Sequence, residues 1–141
     1  MKKYLALLSL VVNALCFSQQ YYYYHGVGYQ KLEGTTDYWE ITVHPTGNED
    51  LFISYPDIPC SSEWIFVRED KGGKIYKEKL VSGFDKCIDN GIVLLMDDET
   101  SQTSKRFYIY QDEQSTQPYA LGFIDEIIAQ IPKDLLPPKI K

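Results

Sequence analysis

Glu78 is the residue of this sequence with the most chemistry to offer. It stands in the run Lys74-Ile75-Tyr76-Lys77-Glu78-Lys79-Leu80. On a strand, two-residue alternation puts Tyr76, Glu78 and Leu80 on one face and Lys77 and Lys79 on the other. If the tyrosine and leucine face inward, a carboxylate goes with them, and a buried carboxylate needs partners. Two roles are open to it. One is a structural hydrogen bond to a loop backbone, to Arg68 or to Arg106. The other is the polar anchor of a ligand pocket. Trp39, Trp64 and Tyr76 would line that pocket, with Glu78 as the orienting group. The same aromatics, together with Phe66, Phe107 and Tyr108, serve equally well as core and cross-strand pairs.

Nothing else in the chain carries a catalytic mechanism. There is no Gly-x-Ser-x-Gly and no Cys/His pair with a free thiol. His25 and His44 stand far apart and outside any ligand-like spacing, so no metal and no cofactor is expected. Asp97-Asp98-Glu99 lacks the alternating acids and central glycine of a calcium loop and reads as a solvated turn. Glu63 and Glu78 could meet across neighbouring strands, but glycosidase chemistry needs a cleft that is hard to build in about 120 residues. The expectation is a protein that binds rather than catalyses.

Charge and cysteines bound the setting. The chain has 141 residues and a formal charge of −6, without the basic stripe that a nucleic-acid partner requires. Lys2 and Lys3, then the apolar run from Tyr4 to Phe17, then Cys16-Phe17-Ser18 read as a signal peptide over residues 1–18, cut before Gln19. The run is short for a transmembrane span. Cys16 offers a lipid anchor as an alternative, but Leu15 before it fits that processing poorly. Cleavage leaves 12 basic against 20 acidic residues, a mature charge of −8. Cys60 and Cys87 then remain as an even pair, most simply a disulfide in an oxidising periplasmic or extracellular setting. Closing a loop of about 28 residues stabilises the fold by roughly 3–4 kcal/mol on the chain-entropy model. Two thiols with no nearby histidine make a poor metal site.

The elements that must position Glu78 are short strands. Runs rich in β-branched and aromatic residues recur at intervals of about ten, separated by turn residues. They predict strands over 21–30, 38–44, 51–55, 64–69, 74–81, 92–96, 105–111 and 118–124. In the second of these, Trp39, Ile41 and Val43 share a face. Asp70-Lys71-Gly72-Gly73 reads as a hairpin turn. Eight strands with tight connections give an all-β antiparallel meander over residues 19–124, closed into a small barrel or folded as a two-sheet sandwich. Ile124, Ile127, Ile128 and Ile131 fall at helical spacing, with Asp125 as cap and Pro132 as stop. That spacing predicts one short C-terminal helix within 125–141.

The stretch Ile53-Ser54-Tyr55-Pro56, then Cys60, Trp64 and Glu78, then Cys87-Ile88-Asp89-Asn90-Gly91, resembles a small bacterial extracytoplasmic β-domain. That domain occurs alone after signal peptides, or appended to the outer part of membrane-spanning serine/threonine kinases. The resemblance covers roughly residues 38 to 124. The chain departs from it after Cys60, where Ser61-Ser62-Glu63 stands in place of an expected glycine. The resemblance implies a lipocalin-like or calycin-like barrel and no assigned activity.

These readings converge on an exported monomeric binding module with a small apolar or amphipathic ligand inside a barrel. The alternative is a protein-interaction or inhibitor module of the cell envelope, solid in its core, whose acidic surface suits a basic envelope protein through electrostatic steering.

Overall fold

The computed structural model describes residues 18–32, 34–70, 72–85 and 87–132, with side chains from 21 to 128 apart from 31–33, 71 and 86. The apolar run of the expected signal peptide, Cys16 and the tail beyond 132 lie outside the described residues. Eight strands follow one another: β1 (Ser18–Leu32), β2 (Thr35–Pro45), β3 (Leu51–Tyr55), β4 (Cys60–Asp70), β5 (Gly73–Ser82), β6 (Ile92–Asp97), β7 (Ser104–Tyr110) and β8 (Ala120–Pro132). Consecutive strands pair antiparallel, and their order runs from β1 to β8 around one closed ring. The ring, not a pair of separate sheets, is the solution this meander adopts.

Residues Tyr23–Ile127 make one compact unit, and it contains everything described below. A second unit takes Met1–Tyr22 and Ile128–Lys141, of which the described part is extended strand at the start of β1 and the end of β8.

Two-residue alternation sets the inside of the ring. Trp39, Ile41 and Val43 of β2 are buried, as are Ile53 and Tyr55 of β3, Ser62 and Trp64 of β4, and Tyr76, Glu78 and Leu80 of β5. The intervening Lys77 and Lys79 are exposed. Where β1 meets β8, a side chain at Gly26 would collide with the backbone of Phe123 and Ile124. Only a residue without Cβ allows so close an approach.

The expected C-terminal helix does not form over residues 125–132. Residues 120–132 are strand, and no described residue is helical. The ladder with β7 explains the outcome. Ser104 pairs in register with Asp125 and Lys105 with Ile124, while Glu126 N–H donates to the Thr103 carbonyl at 3.0 Å. Asp125, expected as a cap, accepts a hydrogen bond from the Ser104 hydroxyl. The isoleucines that carried the helical spacing are themselves strong strand formers. A waiting strand edge decides for β.

Candidate functional site

The interior of the ring is not an open tube. Trp64 and Phe107 have no exposed surface, and their ring centroids lie 5.8 Å apart. The Trp39 ring is tilted against Phe107 with centroids 6.0 Å apart, and the Tyr76 ring lies 6.2 Å from Trp64. This aromatic septum leaves a separate cavity toward each end of the ring. One, about 110 Å³, opens at the end formed by the β3–β4 and β5–β6 connections, where the cysteines sit. The other, about 670 Å³, opens at the opposite end beside Lys74 and Lys105.

Glu78 stands on the wall of the smaller cavity. The residue is 4% exposed and lies opposite Trp64 in the β4–β5 ladder. Three donors converge on its Oε2: the Tyr55 hydroxyl at 2.6 Å, the Trp64 indole N–H at 2.7 Å and the Ser62 hydroxyl at 3.0 Å. The Tyr55 bond falls in the length range of charge-assisted O–H···O⁻ contacts. None of the hydrogen bonds among the described residues engages Oε1. The backbone is held as firmly. Glu78 N–H donates to the Gly91 carbonyl at 2.7 Å, and its carbonyl accepts from Asn90 N–H at 3.0 Å. Two residues on, Leu80 N–H donates to the Asp89 carboxylate at 2.9 Å. The connection after β5 thus continues the ladder that β6 begins. Asn90 takes a left-handed φ of 65° to do so, a conformation asparagine tolerates.

The cations considered as partners for Glu78 are elsewhere. Arg68 lies near Asp70 at 3.8 Å and Arg106 near Asp98 at 3.1 Å. Glu63 is opposite Lys79 in the ladder, out of phase with Trp64 and Glu78, so the two carboxylates do not meet. Asp98 serves its own turn by accepting from Thr100 N–H and Oγ1. Among the described residues no three His, Cys, Asp or Glu side chains gather closely enough to hold a metal ion.

Around the smaller cavity stand Trp39, Tyr55 and Tyr119, with Ile58 and Ile109 between them. The Trp39 and Tyr55 rings are 5.4 Å apart at 77°, an edge-to-face corner. Gly28 lets the benzo edge of Trp39 lie against β1, where any Cβ would strike the ring. The Trp39 Nε1 is buried with no partner among the described residues. Burial first, and then the charge of Glu78, push the Tyr55 hydroxyl well above the usual phenol range, and the same two causes raise Tyr119.

The four residues expected to form one pocket are therefore divided. Trp39 and Glu78 border the smaller cavity, and Tyr76 borders the larger one. Trp64 belongs to the septum between them and bonds Glu78. Sequence reasoning missed Ser62 and Tyr55 as Glu78 partners and Tyr119 as a wall. The signal for Ser62 was present, since Cys60, Ser62 and Trp64 alternate inward. Nothing local marks Tyr119, which is brought in by the β7–β8 connection.

Cys60 and Cys87 form a pair at disulfide distance, with Cα atoms 6.5 Å apart, as fits an oxidising, extracytoplasmic setting. Cys87 also lines the smaller cavity. No helix among the described residues is long and apolar enough to cross a membrane. Comparison with family models, curated proteins and solved structures returns no match.

Proposed function

We propose that the protein is an exported, non-enzymatic binding module, a small lipocalin-like barrel that holds a small ligand in the cavity beside Glu78. The extracytoplasmic β-domain resemblance belongs to the same proposal. One observation carries the reading: a buried carboxylate has one oxygen saturated by three protein donors and the other uncommitted, on the wall of a cavity. Oε1 has no hydrogen bond among the described residues, and a ligand donor in the cavity would complete it. The volume of about 110 Å³ lies below the range of drug-sized pockets. The ligand is therefore a small polar molecule and not a long apolar chain. A larger amphipathic ligand would have to use the opposite cavity, with Tyr76 on its wall.

Native mass spectrometry of the exported protein tests the reading. The expected species begins near Gln19, lacks two hydrogens for the disulfide and releases a discrete small mass on denaturation. Glu78→Ala should abolish that extra mass. An exported protein that is empty, and that stays empty when offered small polar metabolites, overturns the proposal.

A second reading, contact with a protein partner, is favoured by Phe84 and Ile88. These apolar side chains of the β5–β6 connection are 65% and 47% exposed. Phe84→Ser would weaken capture of an envelope partner on that reading and leave small-molecule binding unchanged on the first.

A further inference from the structure

We infer that the cavity beside Glu78 is a site for a small organic ammonium ion. The inference rests on the binding reading above and gives it a chemistry. Two features of the site converge on such a ligand.

The first is charge. Among the described residues Glu78 has no cationic partner, and Arg68, Lys105 and Arg106 are each engaged with an aspartate. Hydrogen bonds from Tyr55, Ser62 and Trp64 hold Oε2 but bring no positive charge. A buried carboxylate is best completed by a cation that reaches its remaining oxygen. An anionic ligand would meet repulsion at the same place.

The second is the wall. Trp39, Tyr55 and Tyr119 surround the cavity, and the Trp39 and Tyr55 rings meet nearly at right angles, at 77°. Aromatic rings set at an angle around a carboxylate make a cage for alkylated ammonium groups. Ring quadrupoles attract the cation and the apolar surface accepts its methyl groups. A strongly hydrated metal ion or bare ammonium gains little from such walls. The volume of about 110 Å³ suits a compact head without a tail.

Titration of the exported protein with choline, with tetramethylammonium and with the neutral carbon isostere of choline tests the inference. In the isostere a tert-butyl group replaces the trimethylammonium. Tryptophan fluorescence and the indole N–H resonances report on Trp39 and Trp64, with sodium chloride matching ionic strength. Choline should bind more tightly than its isostere by on the order of tenfold and shift the Trp39 indole resonance. Tetramethylammonium should bind as choline does, since the charge and the methyl groups carry the recognition. Glu78→Gln should bring choline down to the isostere. The comparison of ligands on the unaltered protein stands even if a variant fails to fold. If the isostere equals choline, the ammonium inference falls and the binding reading survives. If neither perturbs the indoles, the inference is overturned, and the released-mass measurement judges the binding reading by itself.

Discussion

At the scale of single residues, the Glu78 cluster hangs on one oxygen atom. Tyr55, Ser62 and Trp64 all spend their polar hydrogens on Oε2. Removing the acceptor leaves three donors buried together, which is worse than losing one bond. Glu78→Ala should therefore cost about 3–5 kcal/mol, and Tyr55→Phe about 1.5–3 kcal/mol, as expected for a hydrogen bond to a charged group. Urea unfolding midpoints measure both, and equal losses would show that the carboxylate is no more than one bond among many. The inward face of Glu78 was legible from the alternation Tyr76, Glu78, Leu80. Its partners were not, because Tyr55 and Tyr119 reach it from other strands and connections, and period alone does not say which strand ends share a cavity. Arginine was the natural guess for a carboxylate. The structure answers with neutral donors, which satisfy the oxygen without filling the cavity.

Among the elements, strands whose sequence alternates cleanly were legible to within a few residues, and β3 was read with its observed bounds, Leu51–Tyr55. The final segment was misread for a physical reason. Its isoleucines fit two periods at once, and the choice lay with β7, a neighbour that local spacing does not reveal. The connection between β5 and β6 shows the same dependence. Asn90 and Gly91 dock on β5 by backbone bonds and Asp89 by its carboxylate, and the Cys60–Cys87 pair ties the same connection to the start of β4. Replacing both cysteines by serine should lower stability by roughly 3–4 kcal/mol. Hydrogen exchange at Asn90, whose N–H is bonded to Glu78, should accelerate beyond what global unfolding accounts for. Uniform acceleration across all strands would mean that the pair acts on the unfolded chain alone and does not pin the connection.

For the whole molecule, the two ends of the ring share one pH dependence. Burial raises Tyr55 and Tyr119 strongly, with the Glu78 charge adding to both, and burial lifts Tyr76 at the opposite end to about 12. Each hydroxyl stays protonated in the folded state after it has ionised in the unfolded chain. Protons then favour folding. The stabilisation is complete below the unfolded value of 10.0 and is lost as pH rises through the folded values. Melting temperature should hold on the neutral side of pH 10 and fall steeply between about 10 and 12. In the same range an ultraviolet tyrosinate titration should show late-ionising hydroxyls. A melting temperature that stays flat across that range would show that these hydroxyls do not differ between the folded and unfolded states.

On the export proposed above, the seam at Gly26 has a bearing on how the chain is made. It joins the first strand to the last, so the ring has no closed form until β8 is present. A polypeptide threaded through a translocation channel amino end first delivers β1 early and its second neighbour last. Through that interval β1 offers an unpaired edge, the kind of surface that recruits strands from other chains. Cys60 and Cys87 emerge well before β8, so oxidation can staple the middle of the meander while its seam is still open. On this order of events the disulfide is a folding scaffold first, and secretion yield is where its loss is felt most.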